Sequence, residues 1–233
     1  MIDTLVLIAG GLATRLRPIT QTIPKALIDI NGKPFIEHQL ELLEKNGIKE
    51  VIICAGYLGE QIEDFVGDGS AFGIKVRYSF DGDKLLGTGG AIKKALPFLS
   101  NEFFVMYGDS YLNVDYCDVA GFFLKNDKKA LMTVLKNDGQ WDKSNVICKS
   151  GQIVNYDKKN TVPEMDYIDY GLGILRKVVF DDIKDDEVVD LAEIYKKLVN
   201  EKQLLGYEVK ERFYEIGSFQ GIEETKAYLL KKV

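Results

Sequence analysis

The chain has 233 residues, 46% hydrophobic and 28% charged, with a formal net charge of −6. That length and composition are those of a globular protein with enough chain to bury a large core. The acidic balance argues against a broad basic face for duplex nucleic acid while leaving room for local cationic clusters, and no apolar run approaches the ~20 residues of a membrane span.

The three cysteines, Cys54, Cys117 and Cys148, are scattered and form no Cys-x-x-Cys pair. They suit a reducing cytosol, and the few apolar residues ahead of Gly10 are too short a run for a signal peptide, so a cytoplasmic location is expected. Leu5-Val6-Leu7-Ile8-Ala9 reads as a buried strand. Gly10 and Gly11 follow, where the backbone can turn sharply and approach a ligand. Backbone N–H groups in such a turn converge on an anion. Arg15 offers a planar fork suited to phosphate and Lys25 a point charge, with Pro18 and Pro24 limiting the backbone between them. A strand, a glycine turn and two fixed cations suit a triphosphate. The competing reading is a glycine turn followed by ordinary surface basic residues.

Asn31-Gly32 marks a turn, and Pro34 suits the first turn of a helix. Phe35, Ile36, Leu40 and Leu43 recur at helical spacing up to a stop at Gly47. His38, the chain's one histidine, lies in this helix and is expected to be structural or exposed; alone it supports neither a His-based metal site nor a Ser-His-Asp triad. Residues 51–55 read as a strand, 59–65 as a short helix and 74–78 as a third strand. This alternation predicts βαβ units with a parallel sheet and right-handed crossovers that place helices on both faces.

A glycine-dense loop is expected over 81–91, ahead of a helix over 91–99. Gly87, Thr88 and Gly89 would there present backbone atoms to a flat ligand edge; the competing reading is a plain helix entrance. Residues 103–107 form an aromatic strand that runs into Gly108-Asp109-Ser110. Open α/β sheets bind ligands just beyond the carboxyl ends of their strands. Asp109 is therefore a candidate ligand for Mg²⁺, a cation that prefers oxygen. The alternative is a turn aspartate bonded to nearby backbone. Residues 116–124 read as a helix and 130–135 as a strand. Residues 152–159 end on Asp157-Lys158-Lys159, and 167–175 read as a strand broken by Gly171 and Gly173. Asp190 is placed to cap a helix through Leu191, Ile194, Leu198 and Val199, and Ser218 to cap a last helix running to Val233. No internal or hexapeptide repeat appears, so one domain over 1–233 is expected, without a fused β-helix.

The spacing Gly-Gly-x-x-Thr-Arg-x-x-Pro followed by Pro-Lys, over residues 10–25, resembles the signature of the nucleotidylyltransferases that make nucleotide sugars. Leu86–Ala91 resembles that family's base-recognition loop, and Gly108-Asp109-Ser110 its metal-binding turn. The likeness covers nearly the whole chain, more weakly after residue 140. It is greatest to the short, single-domain members, among them heptose 1-phosphate guanylyltransferases and muramate 1-phosphate uridylyltransferases. The resemblance implies an α/β fold: a Rossmann-like mixed, mostly parallel sheet with helices on both faces. It implies a transferase in which an NTP and a sugar 1-phosphate give a nucleotide sugar and pyrophosphate. Ala9, Gly10, Gly11, Thr14, Arg15 and Lys25 would bind the nucleotide's phosphates, and Gly87, Thr88 and Gly89 its base. Arg15, Lys25 and Asp109 would be catalytic. Asn145, Lys158, Asp169 and Gly171 would seat the acceptor, with Lys158 on its phosphate. Asp109 and Glu215 would hold Mg²⁺. No nucleic acid or membrane partner is implied, and a homo-oligomer is left open.

Some positions depart from the family pattern. Ala13 stands where Gly is usual, and a φ > 0 there would disfavour it and remodel the loop. Asp157 replaces Glu before Lys158. Asp169 replaces the Asn of Asn-x-Gly; its carboxylate would accept from sugar hydroxyls or face a cationic acceptor. Trp141, Tyr167 and Tyr170 nearby keep open a CTP-dependent cytidylyltransferase acting on phosphocholine or an amino-alcohol or amino-acid phosphate, because aromatic rings bind ammonium groups; the reading preferred for them is as core or sugar-stacking residues. Glu215 replaces Asp in Asp-Ile-Gly, on a side chain one methylene longer; its competing reading is an edge-strand surface residue. Ala13 and Glu215 together leave a third possibility, a non-catalytic nucleotide-binding regulatory module. The chain lacks Gly-x-Gly-x-x-Gly after any strand, the P-loop pattern and Gly-x-Ser-x-Gly, which disfavours dehydrogenase, P-loop NTPase and hydrolase readings.

Overall fold

The computed structural model describes residues 2–231. Strand β1 (Thr4–Ile8) leads into three short 3-10 turns, Thr14–Leu16, Ile19–Gln21 and Lys25–Leu27. A hairpin of β2 (Asp29–Ile30) and β3 (Lys33–Pro34) opens α1 (Phe35–Lys45). Then come β4 (Glu50–Ala55), α2 (Gly59–Val66), β5 (Lys75–Phe80), α3 (Gly87–Ala95), β6 (Glu102–Tyr107) and β7 (Ser110–Tyr111). Next are α4 (Tyr116–Leu124), β8 (Ala130–Lys136), β9 (Val146–Lys149), β10 (Gln152–Tyr156) and β11 (Tyr167–Arg176). The chain continues through α5 (Leu191–Asn200), β12 (Leu204–Val209), β13 (Tyr214–Glu215) and α6 (Phe219–Leu230).

The period of two along β1 explains the layers. Leu5 and Leu7 pack under α1, α2 and α4 through Ile36, Leu40, Ile62, Val119 and Phe123. Val6 points the other way, against Ala91 and Ile92 of α3 and the α5 side of the core. Each fully buried aliphatic side chain contributes about 1.5–3 kcal/mol. A third cluster joins Leu16, Ile28, Ile30 and Phe35 to Ile216, Ile222 and Leu229, which docks α6 onto the loop after β1.

The main sheet runs β5-β4-β1-β6-β11-β8-β12-β10-β9. β5, β4, β1 and β6 are parallel, as the βαβ pattern predicts. Beyond β6 the pairing changes: β11 is antiparallel to both β6 and β8, β12 is parallel to β8, and β10 and β9 continue antiparallel. The β9–β10 hairpin turns on Ser150 and Gly151, with φ of 50° and 75°, the left-handed pair that a tight hairpin needs. β11 is one strand of ten residues rather than a broken one; its irregularity lies between Asp169 and Gly173.

Asn31 and Gly32 turn the small hairpin with φ of 58° and 85°, and Gly47, at φ 80°, ends α1. Pro34 is the residue just before α1 rather than inside it. His38 is structural, its Nε2 2.8 Å from the carbonyl of Ile30. Asp190 caps α5 and Ser218 caps α6, as their sequence positions predict. The expected end of the last helix at Val233 lies outside the described residues. Among the described residues no helix is long and apolar enough to cross a membrane.

Candidate active site

Register brings the first two motifs together. Ile8 of β1 pairs with Tyr107 of β6, so the loops that leave those strands start side by side. Gly108 donates its N–H to Ile8 O at 2.9 Å. A Cβ on Gly108 would lie 2.8 Å from that oxygen and 3.2 Å from Ala9 Cα, which is why only glycine fits between strand and loop. Ala9, Gly11, Lys25, Thr88, Tyr107 and Asp109 line one cleft at this point. Gly10 packs toward Gly56 instead, and Thr14 lies exposed on the loop.

The loop is pinned where the sequence predicts strain. Ala13 has φ 45° and ψ 44°, a left-handed conformation, and Thr20, itself buried, donates its hydroxyl to Ala13 O at 2.8 Å. Leu16 is fully buried, which fixes the turn that presents Arg15. Arg15 is exposed and has no partner among the described residues. Lys25 has one: its Nζ meets Asp109 Oδ2 at 2.6 Å.

A two-residue ladder carries Glu215 to the same place. β13 pairs with β7, setting Glu215 opposite Ser110, and Ile216 N donates to Asp109 O at 2.9 Å. A Cβ on Gly217 would lie 2.5 Å from Glu215 Oε2, 3.3 Å from Arg15 Nη2 and 3.4 Å from Asp109 Oδ2. The three charged side chains thus converge on one spot. Glu215 accepts from the N–H of Gly217 and from the Ser218 hydroxyl.

A second cleft adjoins the first and shares Tyr107 and Asp109 with it. Arg15, Asn145, Lys158, Asp169, Gly171 and Glu215 all line it. Asp169 is 6% exposed and ion-pairs with Lys158 at 3.5 Å. It also accepts from Tyr156 Oη at 3.2 Å and Gly171 N at 3.1 Å, while its own N–H donates to Asn145 Oδ1 at 2.9 Å. Gly171 has φ 99° and lies against the Tyr107 ring. Burial, reinforced by the carboxylates of Asp169, Asp190 and Asp109, pushes the Tyr107 phenol well above its ordinary value, and burial with Asp169 does the same to Tyr156. Both are neutral O–H groups at neutral pH.

Two adjoining clefts thus carry Lys25 and Lys158 on either side of Asp109, and comparison with known proteins gives the chain a family. A family model described as nucleotidyl transferase matches residues 4–232. The chain belongs to the nucleotidyl transferase family. It is 35% identical over 199 residues to the D-glycero-alpha-D-manno-heptose 1-phosphate guanylyltransferase of Campylobacter jejuni, covering 83% of this chain and 86% of that one. It is 30% identical over 230 residues to the N-acetylmuramate alpha-1-phosphate uridylyltransferase of Neisseria meningitidis, covering 95% and 96%. Among solved structures it resembles HddC from Yersinia pseudotuberculosis complexed with GMP-PN, with TM-score 0.79, 25% identity and coverage of 98% and 100%.

One expectation for this nucleotidyl transferase is corrected by the structure. The glycines of 87–90 do not form a loop ahead of a helix; they are the first turn of α3. Gly89 and Gly90 donate their N–H groups to Val189 O at 2.8 and 3.1 Å, and Gly89 is buried. Its amide is committed to the protein, and the lack of a side chain lets α3 approach the segment before α5. The Thr88 hydroxyl accepts from Leu191 N at 2.7 Å and lies 3.1 Å from Asp190 Oδ1. Gly87 is exposed. The three aromatic residues near Asp169 in sequence go to different places, Tyr170 into the core at the edge of the second cleft. Trp141 stacks on the Arg212 guanidinium at 3.9 Å, the Tyr167 hydroxyl bonds Glu208 at 3.0 Å, and Tyr170 is buried against Phe213. The cation that faces Asp169 is the chain's own Lys158.

Other residues of the nucleotidyl transferase escaped the sequence reading. Gln39 on α1 is fully buried and donates its Nε2 to Ser110 O at 2.8 Å, holding the turn that carries Asp109. Its signal was a polar residue on the apolar stripe of α1. Asn137, also buried, donates to Asp142 O at 2.6 Å and Ser144 Oγ at 2.9 Å and accepts from Trp141 N at 2.9 Å, shaping the loop that brings Asp142, Lys143 and Asn145 to the second cleft.

Proposed function

We propose that the chain transfers a nucleotidyl group from an NTP to a sugar 1-phosphate, giving a nucleotide sugar and pyrophosphate. One observation carries this reading: a cleft with Lys25 and a cleft with Lys158 meet at Asp109, next to Arg15. Two anionic substrates seated there would be held with their reacting phosphates adjacent. The relatives named for guanylyl and uridylyl transfer to sugar 1-phosphates support it.

In the proposed reaction a phosphate oxygen of the acceptor attacks the α-phosphorus in line. The new P–O bond forms as the bond to the β-phosphate breaks, and pyrophosphate departs with the electron pair. The nucleophile is already an anion, so no strong general base is needed; alignment and charge neutralisation carry the rate. Lys25 would stabilise the α-phosphoryl charge. Arg15, exposed and without a partner among the described residues, would meet the β- and γ-phosphates with the amides of the glycine turn. Lys158 would seat the acceptor phosphate and offset repulsion between the two anions. Gly87 and Thr88 would border the base, while Gly89 would act by packing.

Asp109 and Glu215 would hold Mg²⁺, whose charge would neutralise that of the phosphates. The donor set fits: both are hard oxygen ligands near one spot. Among the described residues no group of three or more metal-binding side chains forms a complete cage, and Mg²⁺ commonly takes one or two carboxylates plus substrate phosphates. The cytoplasm, which the three free cysteines suit, is the proposed location.

The test is pyrophosphate release with Mg²⁺, using GTP and UTP first and the remaining NTPs after, against heptose, muramate and other sugar 1-phosphates. Release with one pair, abolished by EDTA, is the expected result. Silence across the panel from a protein that shows no thermal shift with any NTP would refute it.

A further inference from the structure

Tyr107 ends β6 and lines both clefts. Lys158 Nζ lies 3.2 Å from its hydroxyl oxygen and 4.9 Å from the centre of its ring. An ammonium group only donates, so in this contact the Tyr107 oxygen is the acceptor. The phenol keeps its own proton, and that proton has no acceptor among the described residues.

The surroundings hold this hydroxyl in place. Lys158 is fixed at 3.5 Å by Asp169, which in turn accepts from Tyr156 at 3.2 Å. The Tyr107 ring lies against Gly171, where a Cβ would be 3.5 Å from its Cδ2. Two nearby carboxylates are matched by cations, Asp109 by Lys25 and Asp169 by Lys158. What remains on offer at the boundary of the two clefts is a neutral O–H donor. The group that must occupy that boundary in the proposed reaction is the acceptor's phosphate, which at its non-bridging oxygens only accepts.

Resting on the proposed reaction, we infer that Tyr107 contacts the substrate: its hydroxyl donates to a non-bridging oxygen of the acceptor phosphate, with Lys158 bound to the same phosphate. Tyr107 adds attraction without adding charge, so it orients the nucleophile while Lys158 supplies the electrostatics. A sugar 1-phosphate meets both requirements through its phosphate, whatever its ring.

The test is Tyr107→Phe, which keeps the ring and removes the O–H. Steady-state pyrophosphate release is measured with each substrate varied in turn, beside the thermal midpoint. A neutral donor on a charged acceptor predicts a fall of about 10- to 100-fold in kcat/KM for the sugar 1-phosphate. KM for the NTP and the thermal midpoint stay at the wild-type values. Combining Tyr107→Phe with Lys158→Met gives a loss smaller than the product of the single losses, because both act on one phosphate. Unchanged kcat/KM for the acceptor in the Phe variant overturns the inference. So does an equal loss for both substrates with a lowered midpoint, the mark of a packing role. A wild-type protein silent with every substrate pair overturns the reaction itself, and the inference with it.

Discussion

Replacing Lys25 with alanine separates what the Lys25–Asp109 pair does for the fold from what it does for turnover. The two side chains meet at 2.6 Å with 22% and 24% of their surface exposed. Exposed pairs contribute about 0–1 kcal/mol, whereas removing one partner of a buried pair costs about 3–5 kcal/mol. Water reaches about a quarter of Asp109, so the orphaned carboxylate is partly solvated and a loss of about 1–2 kcal/mol is expected. In a chain of this size that lowers the thermal midpoint by roughly 2–8 °C. The catalytic loss is larger. A fixed charge at the site of developing charge is worth about 10²–10³ in kcat, or about 3–4 kcal/mol. Thermal unfolding and pyrophosphate release on the same preparation give both quantities. Lys25→Arg is the companion, keeping the charge but changing its shape. Turnover within tenfold of wild type in a folded Lys25→Ala protein would refute the role. A destabilisation large enough to unfold the variant under assay conditions would refute the estimate of the pair.

Further outcomes follow from other sites. Ala13→Gly relieves a left-handed alanine at φ 45°, a gain of about 1–2 kcal/mol offset by about 0.4–1 kcal/mol of unfolded-chain entropy. Urea unfolding should show stability unchanged or raised by up to about 1.6 kcal/mol, and a clear loss would mean the loop needs the methyl group. Gln39→Leu leaves Ser110 O without its 2.8 Å donor. It should lower stability by about 1–3 kcal/mol, and an unchanged urea midpoint would remove Gln39 as a support for the Asp109 turn. The Asp157 carboxyl is held below its ordinary value, first by the backbone N–H groups of Asn160 and Lys159. A depressed folded pKa gives stability that is present above the unfolded value of about 3.9 and lost as pH falls below it. Asp157→Asn should therefore show a smaller drop in stability than wild type between pH 6 and 3, and parallel curves would contradict the assignment.

How much of this was legible in sequence depended on range. The unbroken apolar run Leu5-Val6-Leu7-Ile8-Ala9 revealed a buried strand, and the helical spacing from Phe35 to Leu43 revealed α1. The missing glycine at position 13 pointed to strain only if φ there were positive, and the structure shows that it is, at 45°. Contacts between distant residues were hidden. Lys25 and Asp109 are 84 positions apart, and no local pattern says that they pair. Glu215 reaches Asp109 only through a ladder of two residues per strand, too short to show periodicity. The glycines at 87–90 were misread because a glycine-rich stretch disfavours helix by propensity; here the Val189 carbonyl takes two of their amides and tertiary packing wins. For Asp169 the sequence left sugar hydroxyls and a cationic acceptor both open, and gave no sign that Lys158, eleven positions earlier, pairs with it.

Trp141 gives the molecule an optical handle. It is the chain's single tryptophan, it is 40% exposed, and it rests 3.9 Å from the centre of the Arg212 guanidinium. The residues that follow it, Asp142 and Lys143, border the cleft proposed for the acceptor. Indole emission depends on stacking and solvation, so any compound that moves this rim changes the intrinsic fluorescence of the whole protein. Unlabelled sugar phosphates can thus be ranked by titration before any turnover assay exists for them, with Arg212→Ala as the variant that should alter the starting signal.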